Sequence, residues 1–438
     1  MRRGQGRKAG ERAHRPARPR GRLAGRVYKR SVLTPETARA RILAALSPLA
    51  PLPGERVPLA DAVGRALAED LVPGRDLPAF DASTMDGYAL RAADARRAGA
   101  RLPVAFEVYA GRPAAAPLPP GSCCRIFTGA PLPEGADAVE MQEEVRRAGK
   151  AAVFRRAAEQ GRFVRARGSD LAAGAVAIAA GTVVDPGAVG LAAGIGRAEL
   201  VVRRRPRVAI LPTGDELVPP GSLPGPGELV DSNGLALAAA VREAGGEPIL
   251  LRPARDEAGS LSAALAAARG ADALLTSGGV SVGERDLVRA ALERAGARLD
   301  FWRVAMRPGK PFAFGLWGTT AVFGLPGNPA STLVTFELFV RPALRALAGL
   351  PGSGRVVAVG RLAAAQEKPP ELTVYLRCRV RPSGDELVLE PLRTQVSGNL
   401  SSTTGHAALA VLPPGRARLA RGARVRAILL AADVRHDG

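Results

Sequence analysis

Aromatic residues are scarce, 4% of 438, with two tryptophans and four tyrosines. Burial must rest on Ala, Leu and Val, and a chain of this length has material for more than one core. At about 100–200 residues per domain, two to four domains are expected. The three histidines, His14, His406 and His436, are far apart, which disfavours histidine-centred chemistry. Of the three cysteines, Cys123 and Cys124 are adjacent and Cys378 is alone. They give neither a disulfide framework nor a metal-binding spacing, and a reducing cytoplasm fits them. Long hydrophobic runs are missing. The charge-free apolar stretch Leu171 to Val184 has 14 residues rich in Ala and Gly, too short for a bilayer span. Lysine is rare as well, five of 62 basic residues. That Arg bias, beside so much Ala, Gly and Pro, reads as a G+C-rich coding sequence. There is no internal repeat.

Positive charge is plentiful. The formal net charge is +21. Residues 1–30 hold twelve Lys or Arg against one Glu, which is +11 and leaves +10 for the rest. This segment lacks the apolar core of a signal peptide. It reads as a disordered basic arm or as residues upstream of the true start. A basic balance is one mark of nucleic-acid binding, but the body has no interleaved aromatics and no binding motif. Anionic small molecules are the expected partners, with no nucleic acid and no membrane.

Residues 34–47 supply an N-cap Thr, a Pro at the first helical position and an amphipathic helix. Residues 73–167 are short apolar runs broken by Pro and Gly, as in a mainly β domain. Residues 168–205 return to helix and turn signals, with Pro186 and Gly187 opening a helix. From 206 the rhythm changes. Strands are expected at 207–211, 247–251, 272–276 and 320–324, and helices at 233–244, 257–269, 285–295 and 328–349, the last kinked at Pro342. Strands alternating with helices predict βαβ units and a parallel sheet. After a Gly- and Pro-rich linker at 349–354, residues 355–438 revert to short strands, as in a small barrel or sandwich. The fold class is thus α/β multidomain: a three-layer αβα parallel-sheet domain, mainly β domains and a C-terminal small β-barrel.

Ligands of an open parallel sheet bind outside the carboxyl ends of its strands, and four polar or Gly-rich segments fall there. In Leu211-Pro-Thr-Gly-Asp-Glu-Leu217, Thr213 and Gly214 precede Asp215 and Glu216. Adjacent carboxylates beside a Gly turn hold Mg²⁺ or position a proton; the alternative is a solvated turn. In Thr276-Ser-Gly-Gly-Val-Ser-Val-Gly-Glu-Arg-Asp286, Ser277, Gly278, Gly279, Ser281 and Gly283 let backbone N–H groups approach an oxyanion. It is not a P-loop, since the Lys–Ser/Thr ending is missing. Asp286 is either a dipole-compensating residue or a metal or substrate ligand. In Arg307-Pro-Gly-Lys-Pro-Phe312, Arg307 and Lys310 suit a phosphate or oxometalate, or mark a surface turn. In Gly324-Leu-Pro-Gly-Asn-Pro-Ala-Ser331, capping explains Asn328 and Pro329, whereas Pro326 and Gly327 shape one more N–H-rich anion site. Outside the sheet, Asp81–Ala89, Arg125–Pro131 and Arg165–Asp170 are polar turns, and no nucleophile–His pairing can be built from them.

Taken together, Met85-Asp-Gly-Tyr88, Thr128-Gly-Ala-Pro131 with Gly135-Ala-Asp137, Thr213-Gly-Asp-Glu-Leu217, Ser277-Gly-Gly-Val-Ser-Val-Gly283, Pro308-Gly-Lys-Pro311 and Leu325-Pro-Gly-Asn-Pro329 closely resemble the MoeA family. This is the molybdopterin molybdenumtransferase fold also found as the gephyrin E domain, and the resemblance runs from about residue 31 to 438. It implies a transferase that takes adenylylated molybdopterin and molybdate, inserts molybdenum at the dithiolene and releases AMP, with Mg²⁺ assisting. It implies an elongated homodimer of four-domain subunits in the cytoplasm, with transient docking to a molybdopterin adenylyltransferase. The implied division is 31–72 with 168–205 as an elongated dimer-contact domain, 73–167 as the β domain, 206–353 as the molybdopterin-binding αβα domain and 354–438 as the barrel. The family's active cleft lies between the αβα domain of one subunit and the β domain of its partner. Asp86 would then reach the cleft from the other chain, with Thr128, Arg165 and Asp170 near it.

On this combined reading Asp215, Glu216, Asp256 and Asp286 hold Mg²⁺ and the pyrophosphate, with Asp215, Asp256 and Asp286 as the metal ligands. Asp86 and the Arg303/Arg307/Lys310 cluster manage molybdate, and electrostatic positioning is the main catalytic effect. Arg303 and Arg307 stand where Lys is common in the family; Arg keeps the charge but forks. Ser169 replaces the more usual Glu, and the arm 1–30 has no family counterpart. Ser397-Gly-Asn-Leu-Ser-Ser-Thr-Thr-Gly405 resembles the family's serine-containing loop, which would put Ser402 at the substrate. Two rival functions are a pterin adenylyltransferase, whose single domain resembles 206–353, and a non-catalytic scaffold.

Overall fold

The apolar runs Arg207–Pro212, Ala273–Ser277 and Thr320–Leu325 lie side by side in the middle of a six-stranded sheet. The structure is a computed structural model describing residues 32–279, 287–384 and 386–430. The basic arm 1–30 and the candidates Ser281, Gly283 and Asp286 lie outside these residues. Strand order is Glu247–Leu250, Arg207–Pro212, Ala273–Ser277, Thr320–Leu325, Pro311–Trp317, Arg298–Arg303. The first four are parallel and the last two antiparallel. The four expected strands therefore form the parallel part of the sheet, and the antiparallel pairings of 298–317 are added at its edge. The hairpin at 298–317 escaped because its first strand is a half-exposed edge that mixes Arg and Asp with Phe and Trp.

Period two sends alternate residues of the central strands to opposite faces. Val208 and Ile210 pack with Leu237, Val241, Phe339 and Leu344. Ala209 and Leu211 pack with Leu261, Leu265, Val288 and Leu292. Two helical layers thus cover the sheet. Each fully buried Leu, Ile, Val or Phe here stabilises by roughly 1.5–3 kcal/mol.

The helix Pro35–Leu46 starts as expected, with the Thr34 hydroxyl accepting from Thr37 N at 3.2 Å. Its Ala38, Ile42 and Leu46, four apart on one face, bury in the same core as the sheet. The helix Pro186–Gly194 is capped by Asp185, which accepts from Ala188 N at 2.7 Å.

The expected helix over 328–349 is helical but interrupted. Pro329–Thr335 is α, Phe336–Val340 is one π turn and Arg341–Leu347 is α again. Pro342 cannot donate to a carbonyl one turn back, and the wider turn just before it takes up the mismatch.

Ala138–Met141, Gly87–Leu90, Cys123–Ile126, Arg101–Val108, Ala151–Phe154 and Val145–Ala148 form a second six-stranded sheet. Toward the C-terminus, Thr373–Ser383, Glu386–Pro391, Val357–Leu362, Arg424–Leu429 and Ala408–Leu412 close into a five-stranded barrel. Val374, Leu376 and Cys378 fill its interior. Tyr375, on the opposite face of the same strand, packs into the core of the central sheet. The short strand Met306–Arg307 pairs with Thr373 and Val374, which ties the loop before Lys310 to the barrel.

Candidate functional site

Register sets the site. Pro212 pairs with Ser277, and Ser277 pairs with Leu325, so three parallel strands end level. The turns that follow, at Thr213-Gly214, Gly278-Gly279 and Pro326-Gly327, sit side by side. Cross-links hold them: Thr213 N donates to Ser277 O at 2.9 Å, Gly278 N to Leu325 O at 3.2 Å and Gly214 N to Ala254 O at 3.1 Å. Gly278 has φ +99, and a Cβ there would lie 2.4 Å from the Thr213 carbonyl oxygen. Only glycine permits both that conformation and that approach.

These turns wall a cavity of about 740 Å³. Of the expected residues, Thr213, Gly214, Glu216, Asp256, Ser277, Gly278, Gly279, Pro326, Gly327, Asn328 and Pro329 line it. Asp215 stands just behind, accepting from Asp256 N at 3.0 Å. Partial desolvation of this exposed residue, then the charges of Asp215 and Glu216, push the Asp256 carboxyl above the usual carboxylate range. These are hard oxygen donors crowded enough to favour a cation. Among the described residues, however, no three His, Cys, Asp or Glu side chains form a ready-made metal cage.

Arg303, Arg307 and Lys310 are exposed and do not line the cavity. They lie beside it, since Arg303 pairs with Pro311, a wall residue. Asn328 does not cap its helix by its side chain. Its Nδ2 instead donates to Ser397 Oγ at 3.0 Å, which draws the barrel loop over the cavity, and Gly398 and Leu400 of that loop are wall residues. Ser402 is buried, its hydroxyl donating to Asn399 O at 2.6 Å, and is not part of the wall.

Asp86, Thr128, Arg165 and Asp170 come together elsewhere, at one end of the second sheet. Asp86 Oδ1 accepts from both the N–H and the hydroxyl of Thr128 at 2.8 Å. Those two bonds hold its carboxyl below the usual range against a small burial effect. Arg165 pairs with Asp170, and its strand pairs with Ala82–Ser83, three residues before Asp86. Gly87 follows because a Cβ there would lie 2.0 Å from the Glu140 carbonyl oxygen. All four side chains are exposed, and none of them lines the cavity.

Sequence reasoning missed Asn233, Asp231 and Arg377. Asn233 Nδ2 donates to Ser277 Oγ at 2.9 Å and to Gly327 O at 2.7 Å, binding two of the turns together. Asp231 accepts from Gly234 N at 2.9 Å and walls the cavity. The polar run Asp231-Ser-Asn233 at a helix start was the available signal. Arg377 shares a strand face with Tyr375 and is 1% exposed. Its Nη2 donates to the carbonyls of Thr394 and Val396, behind the 397–400 loop, while Nε and Nη1 have no partner among the described residues. With His406 it borders a second cavity of about 320 Å³.

Three family models cover most of the chain: the MoeA N-terminal region (domain I and II) at residues 33–196, a probable molybdopterin binding domain at 209–346 and the MoeA C-terminal region (domain IV) at 359–430. A curated molybdopterin molybdenumtransferase of Bacillus subtilis (strain 168) is 35% identical over 385 residues, 86% of this chain and 90% of that protein. The chain belongs to the MoeA family. Within it, the molybdopterin molybdenumtransferase 2 of Mycobacterium tuberculosis is 42% identical over 305 residues, 67% of this chain and 75% of that protein. Two crystal structures of MoeA molybdopterin biosynthesis proteins from Pyrococcus horikoshii match at TM-scores of 0.79 and 0.74, with 32% and 28% identity. They cover 92% and 91% of this chain and all of the structures compared. No helix among the described residues is long and apolar enough to cross a membrane.

Proposed function

We propose that this protein is a molybdopterin molybdenumtransferase: it binds adenylylated molybdopterin and molybdate, places molybdenum on the dithiolene and releases AMP. The observation that carries this reading is the cavity at the level strand ends, with N–H-rich turns on one side and carboxylates on the other. A pterin carrying phosphate, pyrophosphate and nucleotide needs such a divided surface. Gly279, Gly327 and Asn328 line the cavity, and their N–H groups have no backbone partner among the described residues. They serve as donors to anionic oxygens, at no cost in side-chain ordering.

Each remaining residue has a place in the same reading. Arg303, Arg307 and Lys310 gather molybdate at the rim, and the guanidinium of Arg377, whose Nη2 donates to backbone carbonyls, adds a buried cation behind the loop. Asp215, Glu216 and Asp256, with Asp286, would hold Mg²⁺. When bound, that ion neutralises phosphate charge and polarises the bond to AMP. Asp86 is oriented by Thr128, stays ionised and enters the cleft of a second subunit, which makes the homodimer part of the site. The division into four domains, the cytoplasmic location and transient docking to a molybdopterin adenylyltransferase belong to the same proposal.

Two incubations test it. Purified protein should consume adenylylated molybdopterin when molybdate is added. It should leave free molybdopterin with ATP unchanged. Adenylylation of the free pterin would overturn the reading in favour of an adenylyltransferase, and inertness in both incubations would favour a scaffold.

A further inference from the structure

Glu337 lies in the π turn Phe336–Val340 and is largely buried. Its two oxygens accept four hydrogen bonds: from Arg341 Nε and Nη2 at 2.8 and 2.9 Å, and from Arg355 Nε and Nη2 at 3.0 Å each. Glu243, the last residue of the helix Asn233–Glu243, accepts from Arg341 Nη2 at 3.0 Å and lies 2.8 Å from Arg355 Nη1. Arg355 Nη1 also donates to the carbonyl of Leu430 at 2.6 Å. Arg355 precedes the first barrel strand, Val357–Leu362, and Leu430 follows the last, Arg424–Leu429. The network therefore grips both ends of the barrel and fastens them to two helices of the αβα layers.

Buried ions are an indifferent way to gain stability, since apolar packing often does as well. What forked guanidinium–carboxylate pairs supply is direction. The two gripped helices explain why direction matters. One begins at Asn233 and the other at Pro329, and both residues line the cavity. The barrel meets the same cavity through its 397–400 loop, where Ala330 N donates to Ser397 O at 3.1 Å and Asn328 Nδ2 to Ser397 Oγ at 3.0 Å. Along the helix that starts at Pro329 the barrel is thus held at two points, of which only the near one touches the site; the Met306–Arg307 pairing and Tyr375 attach it elsewhere.

We infer that the Glu337–Arg355 network is a positioning latch: it fixes the barrel so that residues 397–400 close one wall of the cavity. Glu337, Arg341 and Arg355 are positioning residues, remote from the reacting atoms. The π turn belongs to the device, because it sets Glu337 and Arg341 where both reach Arg355 or its partners.

The test is hydrogen exchange by mass spectrometry on the full chain carrying Glu337→Gln, with Glu243→Gln as the milder variant. Amides of residues 396–400 should exchange at least about tenfold faster in Glu337→Gln, while those of Ala273–Ser277 keep their protection. KM for adenylylated molybdopterin should rise about tenfold with kcat within about twofold. The kinetic arm rests on the transferase reading and the exchange arm does not, so an inactive wild type would sink that reading while faster exchange still upheld the latch. Unchanged exchange at 396–400 overturns the latch, even where thermal stability falls. Should Glu337→Gln not fold, Glu243→Gln decides by the same readout, with a smaller shift in the same direction.

Discussion

Asn233 fastens Ser277 from across the mouth of the sheet: its Nδ2 stands 2.9 Å from Ser277 Oγ and 2.7 Å from the Gly327 carbonyl. Asn233→Ala would leave both oxygens without that donor. Unfolding in urea should show a loss of about 1–2 kcal/mol, and KM for the pterin should rise more than kcat falls. An unchanged KM would show that the turns keep their places without it.

Asp86 does not line the cavity, and under the proposed function it acts there from a second subunit. Asp86→Asn keeps an oxygen that accepts from Thr128, so thermal unfolding should match the wild type while molybdenum transfer is lost. Asp256→Asn, in the cavity wall, should also be inactive. Co-expressed, the two variants should recover about a quarter of wild-type activity, because half of random dimers are mixed and each mixed dimer has one complete cleft. No recovery would place both residues in one subunit's site.

Gly278 and Gly190 separate two effects of glycine. At Gly278 a methyl group meets the Thr213 carbonyl at 2.4 Å with φ +99, so Gly278→Ala should cost at least about 2 kcal/mol and abolish activity. Gly190 lies within the helix Pro186–Gly194 with nothing within 4 Å of the added methyl. Gly190→Ala should stabilise by about 0.5–1 kcal/mol and leave turnover alone. Chemical denaturation measures both.

Asp256 is an exposed residue whose carboxyl is held above the usual carboxylate range by partial desolvation and by two neighbouring acids. A group whose protonation is favoured by folding destabilises the fold once it is ionised at neutral pH. Asp256→Asn should therefore raise Tm in metal-free buffer at pH 7. Added Mg²⁺ should raise Tm of the wild type more than that of the variant. Equal Mg²⁺ shifts would remove Asp256 from the ion's ligands.

The three central parallel strands were legible because both their faces are covered, so they read as unbroken apolar runs. The level ends of Arg207–Pro212, Ala273–Ser277 and Thr320–Leu325 then brought the Gly-rich segments together, as the strand pattern implied. What stayed hidden depends on contacts distant in sequence. Asn233 looks like any polar residue at a helix start, yet its partners are 44 and 94 residues away. Asn328 reads as a cap, but the barrel loop competes for its side chain. Arg377 has the ordinary alternation of a strand residue, and nothing local reveals that residues 394–396 close over its outward face.

The most direct measurement is the stoichiometry of AMP released to molybdenum bound when purified protein meets adenylylated molybdopterin, Mg²⁺ and molybdate. One AMP per molybdenum is predicted, falling to background in Asp86→Asn and in the cavity variant Gly278→Ala. AMP release that proceeds without molybdate at the full rate, or molybdenum transfer that survives in both variants, would contradict the assignment of this cavity as the place where the metal is inserted.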